Sequence, residues 1–140
     1  MTILALDIGR VRTGIAVSDP AERVASPLKV VLTSHLDNSS ALATLHEDYG
    51  ITKLLVGLPV SLDGNEHSQA AWVRQVAERL ATKLNLPLIY QDERLSSVQA
   101  ASALREMGYN AKTMRERIDM VAASIFLQSY LDGSLDDKGQ

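Results

Sequence analysis

The stretch Ile3-Leu4-Ala5-Leu6-Asp7-Ile8-Gly9-Arg10-Val11-Arg12-Thr13-Gly14-Ile15-Ala16-Val17-Ser18 sets two apolar runs on either side of a polar, glycine-containing connection. Ile3 to Leu6 runs into Asp7-Ile8-Gly9, and Gly14 to Ser18 is reached through Arg10 to Thr13, which predicts two short antiparallel strands in a hairpin. Asp7 directly follows four apolar residues. A carboxylate in that position is drawn toward the interior unless something compensates its charge. Two readings are open: an Asp that caps the turn at Gly9, or a member of a site.

Outward from the hairpin, Leu28 to Leu32 after Ser26-Pro27 predicts a third strand. Asn38 offers an N-cap for an amphipathic segment from Ser39 to Tyr49, with Leu42, Leu45 and Tyr49 on one stripe and Gly50 as its stop. The pattern then alternates. Lys53 to Gly57 reads as a buried strand, 58–66 as a loop, and His67 to Leu84 as a long helix with Trp72, Val76, Leu80 and Leu84 inward. Leu88 to Gln91 is the next strand and ends in Asp92-Glu93-Arg94. A helix capped by Ser96 or Ser97 runs to about Met107 and stops at Gly108; the last runs from about Met114 to Leu131, with Ile118, Val121, Ala122, Ile125 and Tyr130 inward. This succession predicts an α/β fold, a mixed sheet flanked by helices.

The 140 residues fit one domain, with 1–131 as its body and 132–140 as a polar tail. The absence of Cys excludes disulfides, zinc-thiolate sites and a Cys nucleophile. No apolar run reaches membrane-spanning length, and Ile3 to Leu6 is too short for a signal-peptide core, so a soluble cytoplasmic protein with no membrane partner is expected. A net charge of −3 weighs against unspecific nucleic-acid binding, but Asp132, Asp136, Asp137 and Lys138 in the tail account for −2 of it. The placement of Arg in a nearly neutral body decides the matter.

Ligands of open α/β sheets gather at the carboxyl ends of parallel strands, which directs attention to Asp7, to the Gly57-to-Gly64 segment and to Asp92-Glu93-Arg94. Asp119 interrupts the inward stripe of the last helix; taken alone it reads as a solvated edge residue. Carboxylates from separate elements converging on one point would repel by about 4 kcal/mol per pair at about 4 Å and an effective dielectric of about 20. A cation removes that cost. Oxygen-only donors without Cys or a metal-binding His spacing point to Mg²⁺ or Mn²⁺, whose usual partner is phosphate. His35, His46 and His67 compete poorly as catalysts, His67 being a candidate shuttle or simply a helix-start residue. Arg10, Arg12, Arg94, Lys112, Arg115 and Arg117 lie beside the acidic motifs, either as phosphate forks or as structural neutralisers of those acids.

The set Asp7-Ile8-Gly9-Arg10-Val11-Arg12-Thr13-Gly14-Ile15-Ala16, Gly57-Leu58-Pro59 with Asp63-Gly64, Asp92-Glu93-Arg94-Leu95-Ser96-Ser97, and Asp119 in a helix ending Leu127-Gln128-Ser129-Tyr130-Leu131 closely resembles the YqgF family, also called RuvX. The resemblance spans essentially the whole chain; Ser97 stands where that family commonly has Thr. It implies a ribonuclease H-like fold with a five-stranded sheet and a metal-dependent nuclease site. The role described for the family is Holliday junction resolution or processing of the precursor of small-subunit ribosomal RNA. It implies Asp7, Glu93 and Asp119 as the catalytic and metal-holding acids, with Asp92 beside them. Adjacent strand residues point to opposite faces, so only one of Asp92 and Glu93 shares a site with Asp7. Glu93 is chosen on the resemblance and on its longer reach. Arg10, Arg12, Arg94, Arg115 and Arg117 are the candidate substrate contacts, to structured RNA or branched DNA, in a monomer or homodimer. The element order agrees, since it is the ribonuclease H-like succession with a central first strand. Other classes are a noncatalytic nucleic-acid or ribosome-associated module, and an actin-like phosphate-binding domain, which would need a second domain.

Overall fold

The computed structural model describes residues 1–36, 41–59, 68–92 and 96–138, with the backbone alone for 41, 96–98, 115, 116 and 134–138. Its strands are β1 (Thr2–Ile8), β2 (Arg12–Ser18), β3 (Ala25–Leu32), β4 (Ile51–Leu58) and β5 (Leu88–Asp92), in the sheet order β3-β2-β1-β4-β5. β1, β2 and β3 form an antiparallel meander, while β4 pairs parallel to β1 and β5 parallel to β4. Parallel neighbours require crossovers. α1 (Ala41–Tyr49) precedes β4, α2 (Ser68–Leu84) joins β4 to β5, and α3 (Ser96–Glu106) and α4 (Ala111–Lys138) complete the chain. The mixed five-stranded sheet flanked by helices is the ribonuclease H-like arrangement that the sequence leads one to expect.

β1 is central, which explains its unbroken apolar run: a strand covered on both faces has no polar side to show. Leu4, Leu6 and Ile8 join Ile15, Val17, Leu54 and Val56 in a core closed by Leu42 and Leu45 of α1 and by Val73, Val76 and Leu80 of α2. Ile3 and Ala5 face the other way, with Ala16 and Leu55, under Ala123, Phe126, Leu127 and Leu131 of α4. By the same alternation Asp7 belongs to the α4 side. Trp72 and Leu84 sit at the margin of the first core, and Tyr49 is exposed.

Two differences from the sequence reading concern α4. Its buried row is Ala122, Ala123, Phe126, Leu127 and Leu131, while Ile118, Val121 and Ile125 are half-buried. Residues 118–131 are apolar on more than one stripe, so periodicity allows two orientations. The sheet selects the row whose alanines fit against Ala5 and Ala16. The helix also begins at Ala111 because Asn110 caps it: the Asn110 Oδ1 accepts from the Thr113 N–H at 2.9 Å and from the Thr113 hydroxyl at 2.7 Å. It continues to Lys138, through most of the segment read as a polar tail. Gln128 ties the helix to the β3 edge, accepting from the Ala25 N–H at 2.9 Å and donating to the Arg23 carbonyl at 2.9 Å.

Asn110→Ala should lower stability by about 1 kcal/mol, and Asn110→Asp should restore it. Thermal melts followed by circular dichroism check this; an unchanged melting temperature in Asn110→Ala would contradict the capping role.

Candidate active site

Asp7 is the penultimate residue of β1 and pairs across the antiparallel ladder with Gly14 of β2. The backbone of Asp119 lies directly over Gly14. Asp119 is therefore in line with the sheet-facing row that continues through Ala122, Ala123 and Phe126, one turn or less apart, and is not the edge residue that the sequence alone suggests. Register and helix phase thus bring the two acids to one level of one face.

Arg12 stands two residues before Gly14 on the same face of β2. Its Nε lies 3.5 Å from the Asp119 Oδ2, a long ion pair in which Arg12 is the more exposed partner. Burial pushes the Asp119 carboxyl above its ordinary pKa of 3.8, and the charge and hydrogen bonding of Arg12 offset only part of that rise. Among the described residues Arg12 is thus only a partial counterweight to the burial of Asp119.

The turn bearing these groups is pinned by a residue that sequence reasoning missed. The Gly9 N–H donates to the Arg12 carbonyl at 2.9 Å, and the Thr33 N–H donates to the Val11 carbonyl at 2.8 Å. The Thr33 hydroxyl donates to the Gly9 carbonyl at 2.6 Å. Its one proton is thereby used, so Thr13 is the donor in the 2.8 Å contact between the two threonine hydroxyls. Thr13 is fully buried, and a hydroxyl amid an apolar strand was the available signal.

Of the basic candidates, Arg10 lies flat on α2, its guanidinium carbon 4.2 Å from the Trp72 ring centre and its Nε donating to the Gln69 Oε1 at 3.1 Å. Lys112 is exposed in the first turn of α4. Arg117 stacks on Tyr109 at 5.0 Å and stands roughly 200° around α4 from Asp119. Asp92 follows Leu88 and Tyr90, which pack on the α1 and α2 side, so it alternates onto the face opposite Asp7. Glu93 and Arg94, residues 60–67 with Asp63, Gly64 and His67 among them, and the side chain of Arg115 lie outside the described residues. His35 is exposed and His46 is half-buried in α1.

Among the described residues no group of three or more His, Cys, Asp or Glu is placed to hold a metal, and no helix is long and apolar enough to cross a membrane. The pair Asp7 and Asp119 is what the described residues contribute. Its all-oxygen donors suit a hard divalent cation, and the Arg12 guanidinium is already the positive group beside one of them.

A sheet of order 3-2-1-4-5 with an acid on its central strand and the last helix packed across it is the ribonuclease H-like fold. The sequence profile of the RuvX family, described as Holliday junction resolvase, matches residues 1–133. A pre-16S rRNA nuclease, by name, of Anaeromyxobacter sp. strain Fw109-5 is 44% identical over 135 residues, covering 95% of this chain and 98% of that one. One of the same name from Chloroflexus aggregans is 42% identical, covering 94% and 93%. The Thermus thermophilus RuvC structure superposes with a TM-score of 0.55 at 15% identity, covering 97% of both chains. The Fowlpox virus resolvase bound to Holliday junction DNA gives 0.55 at 14% identity, covering 96% and 99%. The chain belongs to the RuvX family, whose members are nucleases, hydrolases of phosphodiester bonds.

The raised pKa of Asp119 sets a sign. Its ionised form is the less favoured one in the folded protein, so the stability linked to this group is full below about pH 4 and is lost as pH rises through the raised value. In buffer free of divalent ions, Asp119→Asn should melt at or above the wild-type temperature at neutral pH, the two converging in acid. A variant that melts lower at pH 7 would mean that the Arg12 contact outweighs burial.

Proposed function

We propose that this protein is a metal-dependent endonuclease that cuts the precursor of small-subunit ribosomal RNA in the cytoplasm, with residues 1–131 as the catalytic unit. The observation that carries the reading is the pairing of Asp7 with Gly14 beneath Asp119, with Arg12 beside it. The RNA substrate is favoured because relatives above 40% identity, matched over nearly their full length, bear that name. Branched DNA is the second reading, favoured by the description of the family. A single-strand cut needs one site and a monomer, whereas a symmetric junction would need a homodimer.

Asp7, Asp119 and Glu93 are the residues proposed to hold Mg²⁺ or Mn²⁺; Glu93 is preferred to Asp92 because Asp92 alternates away from the Asp7 face. A bound ion of this kind would stabilise charge on the phosphoryl oxygens and raise the acidity of an attacking water. The protein's own groups then have separate tasks. Asp7 and Asp119 supply negative charge on one side of the scissile phosphate. Arg12 is released from Asp119 once that charge is otherwise matched and becomes free to fork onto a phosphate oxygen. Arg10, held on Trp72 and Gln69, presents a guanidinium of fixed position to a neighbouring phosphate. Arg94, Arg115 and Arg117 are the further proposed contacts along the strand.

Asp7→Asn should reduce cleavage by about a thousandfold or more, the loss of several kcal/mol of transition-state stabilisation, while the protein stays folded. Glu93→Gln should behave likewise and Asp92→Asn should stay near wild type. Assays with Mn²⁺ on precursor ribosomal RNA and on a four-way junction, side by side, test the residues and the substrate together. Full activity in Asp7→Asn would refute the site.

Binding should be steeply salt-dependent although the chain is acidic. With four of Arg10, Arg12, Arg94, Lys112, Arg115 and Arg117 on phosphates, log affinity against log salt should slope roughly −3 to −4 on a duplex, and each Arg→Ala should remove about one. Titration of the Asp7→Asn protein in Ca²⁺ at several salt concentrations measures this. A flat response would place the basic surface elsewhere.

A further inference from the structure

We propose that Gly14 is a positioning residue: its missing side chain sets how deeply α4 seats on β2, and thereby the spacing of Asp7 and Asp119. The inference rests on the reading of this pair as a metal-holding site.

A Cβ built on Gly14 would lie 2.1 Å from the carbonyl carbon and oxygen of Asp119 and 2.4 Å from the Met120 nitrogen. These are backbone atoms of a helix, which no rotamer change can move aside. Gly50, Gly108 and Gly133, by contrast, would meet nothing within 4 Å. Gly50 and Gly108 are glycine for their positive φ of 62° and 88°, whereas Gly14 is not among the residues with positive φ. Space, not backbone conformation, explains the residue.

The rest of the seam sharpens the point. Ala5 and Ala16 of the sheet both carry a Cβ under α4, and Ala123 meets them from above. The side chain is reduced to nothing only at the rung where Gly14 pairs with Asp7. Reaching ordinary contact at 3.4 Å from 2.1 Å would lift the helix backbone by about 1.3 Å at Asp119. Mg²⁺ requires oxygens at roughly 2.0 to 2.1 Å in near-ideal geometry, while Ca²⁺ accepts roughly 2.3 to 2.6 Å and irregular shells. A lift of that size takes one carboxylate out of reach for the smaller ion first.

The test is a melting titration of the full chain with Mg²⁺, Mn²⁺ or Ca²⁺ alone. Gly14→Ala should weaken the apparent Mg²⁺ affinity at least about tenfold and the Ca²⁺ affinity less, changing the order of preference. Asp119→Glu, one methylene longer, should restore most of the Mg²⁺ response in the Gly14→Ala background yet reduce it in the wild-type background. Leu80→Ala, in the opposite core, should lower the melting temperature without altering ion preference. If Gly14→Ala does not fold, Ala123→Ser and Ala16→Ser, which lift the same helix by less, take its place with the same expectations. An unchanged Mg²⁺ response in the lifted variants, or equal loss from Asp119→Glu in both backgrounds, overturns the role of Gly14 alone. A wild type that responds to none of the three ions overturns the metal-holding reading, and this inference with it.

Discussion

The close seating of α4 on the small-residue face of β1 and β2 is the constraint from which most of the structure follows. The distance between packed layers of secondary structure is set by the side chains at their contact. Here Ala5, Gly14 and Ala16 below and Ala123 above leave little to hold the layers apart. The large residues of the seam, Ile3, Leu55, Phe126, Leu127 and Leu131, lie toward the other end of the helix contact. The seam therefore opens toward one pole and closes toward the acids. At the closed end, a carboxylate on a central strand and one on a helix meet without either leaving regular secondary structure.

Such an arrangement carries an electrostatic liability, and the protein meets it with Arg12. Asp119 is half-buried and its carboxyl is raised by that burial, a rise that Arg12 offsets in part. The Arg12 contact at 3.5 Å is long and its guanidinium exposed, which makes the pair easy to exchange for a better cation. A short, buried, bidentate pair would satisfy Asp119 permanently and leave nothing for a ligand to gain. Rigidity is supplied instead by the backbone: Thr33 fixes the turn between β1 and β2 through two carbonyls, so that Arg12 can leave its partner while the turn keeps its shape.

How much of this the sequence discloses depends on the range of the interaction concerned. The strands of the hairpin, the stops at Gly50 and Gly108 and the acid at the end of an apolar run are local features, and each is found where the sequence puts it. Sheet order follows from the succession of elements. The phase of α4 is not local: residues 118–131 offer two apolar stripes, and only the shape of the opposing sheet decides between them. That decision turns Asp119 from an apparent edge residue into the inner member of a pair. Thr33 was missed for a related reason, because its partners lie 20 and 24 residues away. Asn110 is a cap signal of local range, four residues ahead of the Met114 at which the apolar pattern sets the helix start.

The net charge of −3 reads differently once the residues have positions. Asp19 and Glu22 lie in or beside the turn between β2 and β3, and Glu47 and Asp48 close α1; Asp19 and Asp48 line one cleft with Thr2, at the start of β1. Arg23, Lys53 and, in the last turn of α2, Lys83 are basic residues at that same pole. Arg10, Arg12 and Lys112 belong to the other pole, where β1 ends and α4 begins. Cations thus stand at both poles, and Arg10, Arg12 and Lys112 are the ones at the pole of Asp7 and Asp119. For a polyanion within about a Debye length, the local arrangement of charges counts for more than their total. For such a molecule the sum of charges says little, because the acids beside Arg10, Arg12 and Lys112 are the ones that a divalent ion would neutralise.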